Sequence, residues 1–330
     1  MKKSVLVTRR IPAAGLERLR AAGLDIEILS ADQDRAPAHD DVVRAAREHD
    51  VLLTLLTERV DRAVLTANPG LLGVAQMAVG YDNIDVTAAE ELGIPVANTP
   101  GVLTAATADL TFALLLSCAR RIVESHAYTL AGRFRTWGPE LFCGASVGPG
   151  PDGTRRTLGI VGYGRIGQAV ARRARGFDME VLVHTRRPES VADPDVRVVE
   201  LDELLERADF VTLHVPLTDG TRHLIDAAAL RRMKSTAILV NTARGPVVDE
   251  AALVAALRSN EIGGAGLDVY EREPELARGL TEAPNVVLLP HIGSATHETR
   301  DRMAVMAADA AIAFANGGTP EHLVTPAGRG

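Results

Sequence analysis

Short runs of β-branched and aliphatic residues alternate with helix-like stretches along almost the whole chain, and this alternation restricts the fold more than any other feature. In the first third the strand candidates are 4–8 (SVLVT), 25–29 (DIEIL), 51–56 (VLLTLL), 73–78 (GVAQMA) and 94–97 (IPVA). A single long helix is expected over 104–130, with Thr104 as its N-cap. A second series begins at Leu158: LGIVG, EVLVH, FVTLHV, AILVN, GGAGLD and VVLLP, each separated from the next by helix-like sequence. A last helix is expected over 295–316. Parallel strands need crossover connections, which are usually helices, so the pattern predicts an α/β architecture with a doubly wound parallel sheet. At ~100–200 residues per domain, a chain of this length makes two domains.

The second series opens with Gly162-Tyr163-Gly164-Arg165-Ile166-Gly167, set between the strand LGIV and the helix-like RIGQAVARRARGF. Ile166, Val170, Ala174 and Phe177 would share one face of that helix. Gly162 permits the tight turn, Gly164 lets a phosphate reach the backbone, and Gly167 lets helix pack on strand. The free N–H groups of the helix start then suit a pyrophosphate. Where such a unit reads ribose with an acid, this chain has His184-Thr185-Arg186-Arg187, Thr185 lying 18 residues past Gly167. A neutral residue followed by two guanidinium groups suits a 2′-phosphate, which an aspartate there would repel. NADP(H) is the preferred cofactor on this reading, with NAD(H) possible.

Ligands of doubly wound folds sit outside the carboxyl ends of the strands. Those ends carry Arg244 in NTARG, Asp268 and Glu273 in GLDVYEREP, and His291 in LLPHIGSAT. Hydride transfer to a 2-keto acid needs a carboxylate anchor, a proton donor and a group that keeps the donor charged. Arg244 can anchor the carboxylate and polarise the carbonyl. His291 can be the acid, and Glu273 can stabilise its imidazolium.

Composition removes other classes. The net charge of −7 argues against nucleic-acid binding. Cys118 and Cys143 have no metal-site spacing and read as reduced thiols of a cytoplasmic protein; no metal is expected. The opening MKKSVLVTRR has too short an apolar run for a signal peptide, and Phe112 to Leu116 is too short for a membrane span. Between the long helix and the glycine motif, residues 132–157 lack periodicity and hold Trp137. An arm on a second subunit is expected there, since Trp137, Leu141 and Phe142 would otherwise be exposed.

Together these residues resemble the D-isomer-specific 2-hydroxyacid dehydrogenase family, and within it most closely the glyoxylate/hydroxypyruvate reductases. The resemblance runs nearly end to end, through LLTLLTERVD (52–61), AVGYDNIDV (78–86), NTPGVLTAATADL (98–110), GYGRIGQ, HVPLT (214–218), NTARGPVVDE (241–250), GLDVYEREP (266–274) and PHIGSATHETR (290–300). It implies a Rossmann nucleotide domain over 102–291, with 132–157 as dimerisation arm. It implies a smaller flavodoxin-like α/β substrate domain formed by 1–101 and 292–330. Arg244, Glu273 and His291 are implied as the catalytic set. Gly162, Gly164, Arg165, Ile166, Thr185, Arg186, Arg187, Pro216, Thr242, Ala243, Asp268, Gly293 and Thr107 are implied as cofactor positions, Asp268 near the nicotinamide carboxamide. Val79 and Gly80, through their N–H groups, with Leu55, Trp137, Arg244 and His291, are implied for the substrate. Members are commonly homodimers, which RTWGP around Trp137 matches.

The chain departs from the pattern in two places. Ala105 replaces the usual acid of NTPGVLT[DE]AT, and GASVGPGPDGT (144–154) is longer and richer in glycine than is typical. The expected activity is NADPH-preferring reduction of a small 2-keto acid, glyoxylate or hydroxypyruvate, to the D-2-hydroxy acid. The alternatives are a dinucleotide-sensing, corepressor-like binding protein on the same fold, or an NAD-dependent D-2-hydroxyacid dehydrogenase acting on another substrate.

Overall fold

The apolar runs form twelve strands in two all-parallel sheets in a computed structural model, which describes residues 2–32 and 34–324. The first sheet contains β1 (Ser4–Val7), β2 (Asp25–Ile28), β3 (Val51–Thr54), β4 (Gly73–Gln76) and β5 (Val96–Ala97), in the order β2-β1-β3-β4-β5. That is the flavodoxin-like order. The second contains β6 (Thr157–Val161), β7 (Glu180–His184), β8 (Val196–Val198), β9 (Phe210–Leu213), β10 (Ile238–Asn241), β11 (Gly264–Leu267) and β12 (Val286–Leu288), in the order β12-β11-β10-β9-β6-β7-β8. Counted from β6, this is the Rossmann order with one further strand, and the winding reverses between β6 and β9. Two compact units follow: Thr104–Gly293 around the second sheet, and the chain up to Leu103 joined by the segment from Ser294 around the first.

In the first unit the period of two along each strand sorts side chains to opposite faces. Val5, Val7 and Leu53 pack beneath helices Ala13–Ala21 and His297–Ala315 through Leu19, Ala304, Ala308 and Phe314. Leu6, Leu52 and Val74 face Val42, Val64, Leu65 and Ala88. A Cβ on Gly15 would lie 2.8 Å from Ala304, so those two helices meet where no side chain fits. The last helix is capped by Thr296, whose hydroxyl accepts the Thr299 N–H. In the second unit helix Thr104–Ala119 lies over β10 and β11, with Leu114 and Cys118 close against Gly266. Phe177 reaches the same cluster from a 3₁₀ turn, Arg175–Phe177, stacking on Phe112 at 5.2 Å.

Three expectations need correction. The helix over 104–130 is two helices, Thr104–Ala119 and Ile122–Leu130, with Arg121 left-handed between them (φ 50°). The Ala119 carbonyl accepts the Ala145 N–H at 2.8 Å, which draws it out of the helix ladder. Thr104 is the first helical residue rather than the cap. The strand β8 escaped the sequence reading because it is short, carries Arg197 at its centre and buries little.

Residues 131–156 contain no helix or strand, and the segment doubles back on helix Ile122–Leu130. Phe142, expected to need a second subunit for cover, packs edge-on to Tyr128 of its own chain at 5.1 Å, beneath the Arg121 guanidinium. Trp137 and Leu130 remain 76% and 74% exposed, and the helix buries none of its residues. Among the described residues no helix is long and apolar enough to cross a membrane, and no cluster of His, Cys, Asp and Glu could hold a metal ion.

Candidate functional site

The three glycines after β6 differ in the space around them. A Cβ on Gly162, at φ +97°, would lie 2.7 Å from the His214 backbone; one on Gly167 would lie 2.2 Å from the Gly162 carbonyl oxygen. Both positions are closed to any other residue. A Cβ on Gly164 would meet nothing within 4 Å. Gly164 precedes helix Arg165–Ala174, and no side chain caps the N–H groups of its first turn. Closed packing on two glycines and an open third suit a dinucleotide phosphate at this helix start.

The strand β7 ends at His184, and Thr185, Arg186 and Arg187 follow beside the glycine loop. Thr185 is half-buried and its hydroxyl accepts the Arg187 N–H at 3.3 Å. Arg186 and Arg187 are exposed, and among the described residues neither has a carboxylate partner. Arg165, exposed at the helix start, likewise has none.

His291, Glu273 and Arg244 come from three loops at the carboxyl edge of the same sheet. His291 follows β12 in a left-handed conformation (φ 54°), a strained geometry for a non-glycine residue that occurs preferentially at functional sites. Its Nδ1 lies 2.8 Å from Glu273 Oε2, and Glu273 Oε1 accepts the Tyr270 N–H at 3.1 Å. Burial alone would raise the Glu273 carboxyl. The hydrogen bond and charge of His291, the Tyr270 N–H and the Arg244 charge outweigh it and hold the group below the usual glutamate value. Arg244 is partly buried, with Nη1 donating to the Ala243 carbonyl.

Asp268 is 1% exposed and accepts the Ile292 and Gly293 N–H groups, one on each oxygen at 2.7 Å. It therefore ties the His291 loop to the end of β11. Burial, chiefly, pushes its carboxyl up. Thr107 is also buried, and its hydroxyl donates to the Gly293 carbonyl. Thr242 shares a hydrogen bond with Thr111, and the Pro216 carbonyl accepts from Thr221. Leu55, the residue after β3, is half-buried against the first unit's core.

Several supporting residues were not foreseen. The Asn241 amide accepts from Ala243 N–H and donates to the Arg244 carbonyl, fixing the turn that presents Arg244. Glu250 and Glu271 each accept the other's backbone N–H, and Glu271 also meets His223 at 2.5 Å. Gly245 lies so close to the Tyr270–Glu271 peptide that a Cβ would fall 1.8 Å from the Tyr270 carbonyl carbon. These contacts join the Arg244 loop to the Glu273 loop. They arise between loops distant in sequence, and only the glycine in NTARG could have signalled one of them.

In the first unit the turn after β4 is held by side-chain amides. The carbonyl of Ala78 accepts the Thr99 N–H, that of Val79 the Asn98 amide at 2.8 Å, and that of Gly80 the Gln76 amide at 3.4 Å. Asn83 completes the network, accepting from Gln76 and donating to the Leu55 and Glu58 carbonyls. With the carbonyls tied back, the Val79 and Gly80 N–H groups have no acceptor among the described residues. Such a turn can receive an anion.

Comparison with known proteins adds a family and near-complete relatives. Residues 112–293 match the family model described as D-isomer specific 2-hydroxyacid dehydrogenase, NAD binding domain. A glyoxylate reductase of Thermococcus litoralis is 48% identical over 330 residues, 98% of this chain and 97% of the relative. The crystal structure of a Thermus thermophilus protein, 44% identical, aligns with a TM-score of 0.90 over 98% of this chain and 100% of that one. An NADPH-dependent glyoxylate/hydroxypyruvate reductase of Sinorhizobium meliloti, solved with NADP and malonate, aligns at 33% identity with a TM-score of 0.84, over 98% of this chain and 97% of that one.

Proposed function

Because this chain belongs to the D-isomer specific 2-hydroxyacid dehydrogenase family, we propose that it reduces a small 2-keto acid, glyoxylate or hydroxypyruvate, to the D-2-hydroxy acid, and that it prefers NADPH to NADH. The observation that carries the reading is the His291–Glu273 pair, 2.8 Å apart, with Arg244 close enough to lower the Glu273 carboxyl, on the sheet that bears the glycine loop. The names of the relatives, glyoxylate reductases along nearly the whole chain, support the substrate. On this reading Thr104–Gly293 is the nucleotide unit, and the other unit serves the substrate.

Gly162, Gly164, Arg165 and Ile166 would hold the pyrophosphate, and Thr185, Arg186 and Arg187 the 2′-phosphate. When bound, the reduced nicotinamide supplies the hydride. His291 delivers a proton from Nε2 to the carbonyl oxygen, since Nδ1 is engaged by Glu273. Glu273, charged at neutral pH, fixes the ring and stabilises the imidazolium. Arg244 forks onto the carboxylate and polarises the carbonyl. Asp268 acts by holding the His291 loop.

Arg244→Lys keeps the charge but loses the planar fork. A charge-assisted hydrogen bond contributes about 1.5–3 kcal/mol, so kcat/KM for the keto acid is expected to fall roughly 10- to 100-fold. Near-normal kinetics in this variant would mean that the carboxylate does not depend on the Arg244 fork. The same arithmetic applied to one arginine contact with the 2′-phosphate gives a preference for NADPH over NADH of roughly 10- to 100-fold in kcat/KM. The comparison is made at fixed salt because the contact is ionic. An enzyme that uses NADH better would leave Arg186 and Arg187 merely solvated.

The reading includes a cytoplasmic homodimer formed through 132–157, supported by the exposed Trp137, Phe134 and Leu130. Sedimentation as a monomer at micromolar concentration would remove both the dimer and a substrate role for Trp137.

A further inference from the structure

The loop from Thr185 to Asp195 carries two arginines and three acids, Glu189, Asp193 and Asp195. On so short a loop the acids compete with a phosphate for the arginines. The two nearer β8 are instead occupied elsewhere. Arg175, just beyond the glycine-loop helix, grips both Asp193 carboxylate oxygens through Nη2 at 2.5 and 2.6 Å. Its Nε meets Asp195 at 3.2 Å. From the glycine motif itself, the Tyr163 hydroxyl donates to Asp193 at 3.2 Å. Tyr163 is buried and Asp193 largely so, while Arg175 is half-exposed.

The chain between these groups is short. A turn closes over 187–191, in which the Ser190 N–H and hydroxyl both donate to the Arg187 carbonyl and the Val191 N–H donates to that of Pro188. Only Ala192 separates this turn from Asp193, which places the carboxylate on the same short loop as the arginines. Glu189 remains exposed, with no partner among the described residues.

We propose that Arg175, assisted by Tyr163, is a positioning residue for cofactor choice: it sequesters Asp193 and Asp195, so that Arg186 and Arg187 stay free to meet a 2′-phosphate. The inference rests on the NADPH reading above. It concerns which acids the arginines do not meet, and it assigns specificity to a residue at the far end of the helix that the glycine loop opens.

The test is the dissociation constant of NADP⁺ and of NAD⁺, measured by calorimetry at fixed salt, for the full-length protein and three variants. Arg175→Gln releases both acids and is expected to weaken NADP⁺ binding roughly 10-fold, the loss of one charge-assisted contact, while NAD⁺ changes less than about twofold. Adding Asp193→Asn and Asp195→Asn to Arg175→Gln removes the freed charges and is expected to restore NADP⁺ binding. Arg175→Lys retains one charge without the fork, should give an intermediate ratio, and carries the test if Arg175→Gln does not fold. Equal losses for both dinucleotides, an unchanged ratio, or no recovery in the triple variant would each overturn the proposal. A starting protein that binds NAD⁺ more tightly would instead overturn the NADPH reading itself.

Discussion

His291→Ala is expected to lower kcat by ~10²–10⁴, the usual contribution of a general acid, with KM for the dinucleotide little changed. The replacement removes the imidazole whose Nδ1 is held against Glu273. The accompanying pH profile gives the sharper result. Reduction consumes a proton delivered by His291, so the rate falls as pH rises. Glu273 is held below the usual glutamate value and stays charged near neutral pH, so its own titration does not enter. Glu273→Gln deletes the neighbouring negative charge and should displace the fall towards lower pH. An unmoved profile in Glu273→Gln would strip Glu273 of its part, and a His291→Ala enzyme retaining most of its kcat would place the proton donor elsewhere.

Gly245→Ala should be the most damaging single substitution in the second unit. Its Cβ would lie 1.8 Å from the Tyr270 carbonyl carbon, 1.9 Å from the oxygen and 2.4 Å from the Glu271 nitrogen, all of them backbone atoms that cannot rotate away. Relief requires separating the Arg244 loop from the Tyr270–Glu273 segment. That opens the paired Glu250 and Glu271 contacts to each other's N–H groups and misaligns Arg244 relative to Glu273. A loss on the order of 4 kcal/mol or more is expected, at the extreme of single substitutions. Gly164→Ala is the control. The site is open, so thermal unfolding should not change while dinucleotide affinity drops. A Gly245→Ala protein with ordinary Tm and kcat would mean the two loops can part without consequence.

Much of this architecture was legible because its signals are local. The strand LGIV, the glycine spacing and the helix after it sit within one short stretch, and the loops bearing Arg244, Glu273 and His291 announce themselves by following apolar strands. Signals that depend on distant partners were not legible. The break at Arg121 exists because Ala145 captures the Ala119 carbonyl, and nothing near Arg121 in the sequence discloses that. Phe142 finds Tyr128 only because the arm turns back. The strand β8 lacks the buried alternation that betrays a strand, being an edge with Arg197 at its centre. Thr107 and Asp268, implied as cofactor positions by the family resemblance, also bond to the backbone around Gly293, a support between distant segments that no local signal discloses.

The assembly of the first unit has a consequence for synthesis. One face of its sheet, with Val5, Val7 and Leu53, is roofed by helix His297–Ala315, which leaves the ribosome only after the whole of Thr104–Gly293. The second unit is one continuous segment and can close while translation proceeds. Until the last helix emerges, only helix Ala13–Ala21 is at hand to cover that face, and the rest of its aliphatic surface is open. The amino-terminal strands are therefore made first and completed last, and during that interval a chaperone would find its site on them.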